Sequence, residues 1–219
     1  MKISNDTVKI LQNFAGINQS MIFKPGSELK TITPQKTIFA KAKISESFDS
    51  EFGIYNLGQL LNTLSLFSAP EINVMEKNLE IVEGKEKVNY VFADTSLISR
   101  PPEKDITFPD AELQFNLTAD NFQKILKAAA VIASPEIMIV GDGSEITMGA
   151  GNSKNSSDNT YKITVGETSK KFNFIFSIDN FKMLPRDYDV SISTKGISKF
   201  DTKDLVYYVA TEQHSTYEG

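Results

Sequence analysis

A single histidine and no cysteine narrow the chemistry open to this 219-residue chain before any pattern is sought. His214 lies in the polar stretch TEQHSTYEG, so it reads as a surface residue, and no Ser/His/Asp, Cys/His or zinc set is expected. The glycines of GAGNSKNSS lack the G-x-x-x-x-G-K-[ST] spacing whose backbone amides cradle phosphate, and this stretch reads as a hairpin loop. RDYDV and GDGSE hold acids close together without the alternating ligands and closing glutamate of a calcium loop, so both read as solvated turns. No carboxylate pair is singled out for general acid and base work, and no metal or cofactor is expected. What does recur at a definite spacing is a set of lysines and side-chain amides opposite apolar helix faces. Taken alone, such faces read as solubility.

Those faces must be carried by elements. In SNDTVKILQNFAGI, Val8, Ile10, Leu11, Phe14 and Ala15 fall on one side at about 100° per residue, with Lys9, Gln12 and Asn13 opposite and Ser4 or Asn5 as the cap. A second helix, over NLGQLLNTLS, has Leu57, Leu60, Leu61 and Leu64 on its apolar stripe and Gln59 and Asn62 on its polar one. Further on, Phe122, Ile125, Leu126 and Ala129 line the buried side of a third, with Gln123, Lys124 and Lys127 opposite. A fourth, shorter helix carrying Lys182 is expected over DNFKMLPRD, ended by Pro185. The remaining segments alternate as strands, with turns at Pro25 and Gly26, at GDG, at Gly84 and at Gly196.

The chain also repeats itself. KILQNFAGI returns as KILKAAAVI, GSEL as GSEI, FGIYNLGQL as FSIDNFKML and YVFAD as YYVAT, in the same order and at offsets between 115 and 124 (124 − 9 and 176 − 52). Four anchors in register point to a duplicated domain with changed loop lengths. The expected organisation is a first domain over 1–95, an ordered connector over 96–111 containing three prolines, and a second domain over 112–219. Hydrophobic content of 40% with 23% charged residues suits a soluble globular protein, and no apolar run approaches the roughly 20 residues of a membrane span. The N-terminus shows no secretory signal, and the absence of cysteine suits a reducing cytoplasm. The sequons at Asn5, Asn18, Asn116 and Asn155 are then incidental. A net charge of −5 argues against indiscriminate nucleic-acid binding, although lysines gathered on one face still make a positive surface.

On MKISNDTVKILQNFAGINQSMIFKPG, IYNLGQLLNTLSLF, ADTSLISRPPEKDITFPDAEL and FNFIFSIDNFKMLPRDYDVSIS, the chain resembles the sliding clamps of T-even-like bacteriophages, the processivity factors of DNA polymerases. The resemblance runs from Met1 to the tail. It implies an α+β fold of two tandem clamp domains, each with two helices packed on antiparallel sheets, assembled into a ring with helices toward the hole. Six such domains per ring imply a homotrimer. The lining would then be Lys9, Gln12, Asn13, Gln59, Asn62, Lys124, Lys127 and Lys182, touching duplex DNA without regard to sequence. Leu97, Ile98, Ile106 and Phe108 of the connector, with Tyr207 or Tyr208, are the candidate pocket for partner peptides. The implied partners are DNA polymerase, an ATP-dependent clamp loader and late-transcription factors, with no membrane, no catalysis, and the cytoplasm of the infected bacterial host as the setting. Two alternatives stay open at this level: a ring-forming phage structural protein with no DNA inside, and a monomeric DNA-binding processivity protein.

Overall fold

Helix α1 (Asn5–Ile17) begins where the Ser4 hydroxyl accepts a hydrogen bond from the Thr7 amide, and it buries Thr7, Ile10, Leu11, Phe14 and Ile17. It belongs to the first of two structural units, Met1–Asp105 and Ile106 onward, into which the computed structural model, describing Met1–Glu218, divides. After α1 come β1 (Met21–Phe23), β2 (Gly26–Ile32), β3 (Ile38–Phe48), β4 (Phe52–Ile54), α2 (Leu57–Leu64), β5 (Glu71–Val74), β6 (Asn78–Glu83) and β7 (Glu86–Val91). Strand β1 pairs with β4, β2 with β3, and β5, β6 and β7 form a meander, all antiparallel. The core holds a column of rings: Phe23 and Phe92 each stack on Phe52 with centroids 4.7 Å away, and Phe48 meets both Phe23 and Phe52 edge-on.

What seats α1 is a carboxylate from a distant strand. The two-residue period of β3 puts Glu46 on the same buried face as Ala42, Ile44 and Phe48. Its Oε2 accepts from Thr7 Oγ1 at 2.6 Å and its Oε1 from the Ser4 amide. Burial works to raise this carboxyl, but the hydrogen bonds from Thr7 and Ser4 prevail and hold it below the ordinary glutamate value. The second helix, α2, is capped by Asn56, whose side chain accepts from the Gln59 amide, and it buries Leu57, Leu60 and Leu64 beside α1.

The second unit follows this order in outline, with a strand added before its helix and another at its end. It runs β8 (Leu113–Leu117), α3 (Ala119–Val131), β9 (Glu136–Asp142), β10 (Glu145–Gly151), β11 (Tyr161–Glu167), β12 (Lys171–Ser177), β13 (Tyr188–Ser193), β14 (Ile197–Asp201), β15 (Leu205–Ala210) and β16 (Thr216–Tyr217). One sheet has the order β11-β10-β9-β12-β16, and β8, β13, β14 and β15 pair in sequence. Both α1 and α3 are 13 residues long, and both start on a hydroxyl cap, Thr118 accepting from the Asn121 amide in α3. The repeated GSE tripeptides sit where chain turns require positive φ, 107° at Gly26 and 97° at Gly143, which glycine adopts without a Cβ clash.

One expectation fails in this unit. The stretch matching α2 is no α-helix but a single 3₁₀ turn, Ile178–Asn180, followed by irregular chain. Pro185 has no amide hydrogen and drives Leu184 away from helical angles, so fewer than four residues remain after Asn180, too few to nucleate a helix. The volume is filled by Phe181, whose ring lies 5.2 Å from Phe176, 5.7 Å from Phe200 and 6.0 Å from Phe122. The expected α+β organisation on antiparallel sheets stands, with two α-helices in the first unit and one in the second among the described residues.

Replacing Glu46 tests the anchoring of α1. Glu46→Gln should lower unfolding stability by about 1–3 kcal/mol near neutral pH, the usual cost of losing hydrogen bonds to a charged group. The depressed carboxyl stabilises the fold above the ordinary glutamate value and loses that contribution as pH falls through its folded-state value. Urea melts of variant and parent should therefore converge as the pH drops below about 4.5.

Candidate functional site

Each helix keeps its polar side outward. Lys9 and Gln12 on α1, Gln59 and Asn62 on α2, and Lys124 and Lys127 on α3 are exposed, and Asn13 is half-buried. The Tyr90 hydroxyl lies 3.0 Å from the Asn56 carbonyl and 3.3 Å from Gln59 Oε1, which restrains the first amide of α2. The lysines of α3 differ from one another. Lys124 Nζ is 2.6 Å from Asp120 Oδ2, one helical turn back, and this carboxylate raises the ammonium above its ordinary value. Lys127 and Lys9 form no ion pair among the described residues. Lys182 is exposed as expected but stands on irregular chain after the 3₁₀ turn, so the helix that was to present it is corrected to a loop.

The candidate peptide pocket is sorted by burial. In the first unit, Leu97 at the end of the 3₁₀ turn Thr95–Leu97 is 72% exposed and lines a cleft with Tyr55, Pro34 and Ile17. Ile98 is buried instead, its Cδ1 lying 2.9 Å from where a Cβ on Gly53 would stand. It pins the connector and leaves the accessible set. In the second unit, Ile106, Phe108 and Tyr208 are half-buried. The Phe108 and Tyr208 rings lie 6.3 Å apart, with Lys199 Nζ 5.9 Å from the Phe108 centroid. Tyr207 has no exposed surface, and its hydroxyl accepts from the Leu184 amide at 3.3 Å. The alternation of β15 decides between the two tyrosines, since adjacent strand residues face opposite ways and only one can reach solvent. Leu205, Tyr207 and Val209 point inward.

The connector is ordered by charge at its first half. Arg100 pairs with Glu51 at 2.9 Å, Glu103 with Lys24, and Asp105 with Lys41 at 2.9 Å. The tail brings together residues that sequence reading left apart. His214 Nε2 is 3.1 Å from Ser153 Oγ and 3.5 Å from Glu136 Oε1. Burial pushes the Glu136 carboxyl up, but hydrogen bonds from the Ser153 amide and hydroxyl, with the charges of His214 and Lys154, bring it below its ordinary value. Serine and acid meet the same ring nitrogen here, whereas a nucleophile triad needs them on opposite nitrogens. The group ties the tail to β9 and is not arranged to activate Ser153.

Comparison with known proteins matches both units. Residues 4–100 fit the family model described as DNA polymerase processivity factor, and residues 114–213 fit that described as gp45 sliding clamp, C terminal. The sliding clamp of Vibrio phage KVP40 is 33% identical, with 97% of this chain and 99% of the relative covered. That of Enterobacteria phage T4 is 32% identical over the whole of both chains. Among solved structures, A. fulgidus PCNA bound to the C-terminal region of FEN-1 superposes with a TM-score of 0.73 at 14% identity, covering 98% of each chain. The PCNA2-PCNA3 complex of Sulfolobus tokodaii gives 0.71 at 12%, covering 97% of this chain and 99% of the other. At such identities the structures speak for the fold.

The buried tyrosines predict an alkaline response. Burial raises the Tyr207 hydroxyl, and also Tyr188, far above the ordinary range. Raised folded-state values mean stability that is full below about pH 10 and declines as the unfolded chain begins to ionise above it. Tyr207→Phe should cost about 1 kcal/mol at neutral pH, through the unpaired Leu184 amide. It should also flatten the stability loss above pH 10. Denaturant melts across that range, with tyrosinate absorbance, check both.

Proposed function

The chain belongs to the sliding-clamp family, and from that premise we propose that three copies close around duplex DNA and tether a phage replicative DNA polymerase for processive synthesis. The observation carrying this reading is the doubled unit with lysines and amides on its outward helix faces, in a chain matched end to end by phage clamps. Six units of this type per ring require three two-unit chains. Among the strands that end a sheet, β7 of its meander and β11 of its sheet each offer an outer edge that suits closure between copies. An open edge is a template for another strand, and pairing in a closed ring leaves none exposed.

The charge distribution fits a clamp that slides. A topological link holds DNA without tight contact, whereas each lysine that neutralises a phosphate adds about 0.9 to the salt slope of binding. Lys9, Lys124, Lys127 and Lys182, with Gln12, Asn13, Gln59 and Asn62, form a sparse lining of long side chains. The acidic remainder of a chain with net charge −5 repels DNA from the outer surface. The protein has no catalytic activity of its own in this reading. An ATP-dependent clamp loader opens or closes the ring, and late-transcription factors share it as a platform, in the cytoplasm of the infected bacterium. Partner peptides with apolar anchors dock on Leu97 in the first unit and on Ile106, Phe108 and Tyr208 in the second.

Light scattering at micromolar concentration should report a trimer. A stable monomer at every concentration would refute the ring, and a ring that fails to cosediment with circular DNA after loading would favour a structural role. Lys124→Glu with Lys127→Glu should leave the melting temperature and trimer intact. The same variant should reduce loading and primer extension, most steeply at low salt, where the Debye length is greatest. Phe108→Ala with Tyr208→Ala should weaken capture of a polymerase tail peptide by a folded trimer.

A further inference from the structure

The lysines of α3 are not equivalent, and the difference lies in one carboxylate. Asp120 stands in the first turn of α3, where an acid also favours the helix dipole, and its Oδ2 is 2.6 Å from Lys124 Nζ. Both side chains are more than half exposed, so the pair is held by the helix spacing and not by burial. Lys127, three residues on, has no such partner among the described residues. On the reading that α3 faces DNA, a phosphate approaching Lys124 must compete with a carboxylate fixed one turn away on the same helix. A phosphate approaching Lys127 meets a lysine with no built-in competitor.

We propose that Asp120 is a positioning residue that restrains Lys124 from the DNA backbone and so keeps the clamp's grip weak enough to slide. The acid does not touch DNA. It acts through the lysine, by offering a local anion that the ammonium leaves and rejoins as phosphates pass. Releasing Lys124 would convert an intermittent contact into a standing one, and the contact would be paid in mobility. Lys9, on the equivalent face of α1, has no ion pair among the described residues, so the restraint belongs to the second unit.

The test uses the full-length trimer in five forms: parent, Asp120→Asn, Asp120→Glu, Lys124→Gln and the double variant Asp120→Asn with Lys124→Gln. Binding to a fluorescent duplex oligonucleotide is titrated across salt, and diffusion of loaded clamps on long DNA is followed by single-molecule tracking. Asp120→Asn should steepen the dependence of log K on log salt by up to about 0.9 for each lysine released, and should slow diffusion. Asp120→Glu, which keeps the carboxylate within reach, should behave as the parent. The double variant should match Lys124→Gln, because the acid has nothing left to restrain. A purely structural role at the helix start would lower the melting temperature without steepening the salt dependence, and that result overturns the proposal. If Lys124→Gln weakens binding while Asp120→Asn leaves slope and diffusion unchanged, the restraint is refuted and the DNA-facing assignment survives. If Lys124→Gln itself changes nothing, α3 does not meet DNA through this lysine and both fall.

Discussion

The first turns of α1 and α3 are each held by a carboxylate from far along the chain. Glu46 accepts from the Ser4 amide and the Thr7 hydroxyl, and Asp187 accepts from the Ala119 amide at 2.7 Å. Unpaired amides at a helix start carry partial positive charge, so an acid there satisfies donors and favours the helix dipole together. The positional consequence matters more. Tying the first turn to a strand or strand entrance fixes the helix's rotation on its sheet, and with it the direction of Lys9, Lys124 and Lys127. A helix free to roll would present its lysines nowhere in particular.

Between the two units the same plan is executed with different materials. The first unit closes its core with α2, whose leucines pack beside α1, and with stacked phenylalanines centred on Phe52. The second has lost that helix to Pro185 and closes the gap with Phe181 among Phe122, Phe176 and Phe200. A ring can stand in for two turns of helix because burial depends on apolar area removed from water more than on the element that supplies it. The polar face of the lost helix has no such substitute. Lys182 is therefore presented by a loop.

A ring around DNA must solve a problem opposite to that of a repressor. In the proposed ring, long-lived phosphate contacts would raise affinity and stop movement; exposed amides beside the lysines, and Asp120 beside Lys124, suit such a lining. Elsewhere lysines are consumed in ion pairs that order the connector, as Lys24 and Lys41 are by Glu103 and Asp105. Exposed pairs of this kind contribute little to stability but do fix where a segment lies.

Much of this was legible in the residues. Helical periodicity located the buried sides of α1, α2 and α3, because a helix on a sheet must be apolar along one stripe, and the repeated GSE tripeptide marked turns that need glycine. The duplicated anchors set the element order of both units. Pro185 was read as ending the fourth helix, yet a proline so close to a helix start prevents nucleation, a length effect that matching to α2 concealed. Other features depended on contacts between residues remote in sequence. Nothing local distinguishes Glu46 from a surface acid, marks Ile98 as the filler beside Gly53, or places His214 against Ser153 and Glu136. Tyr207 and Tyr208 show the division most closely: as neighbours on a strand they face opposite ways, but which of them faced inward was decided by the rings of the core it joined. Sequence by itself determined the periodicities, the caps and the repeat, because these follow from local geometry. Only the tertiary structure decided which polar groups were enclosed and which were left exposed, because enclosure depends on what packs against each residue from elsewhere in the chain.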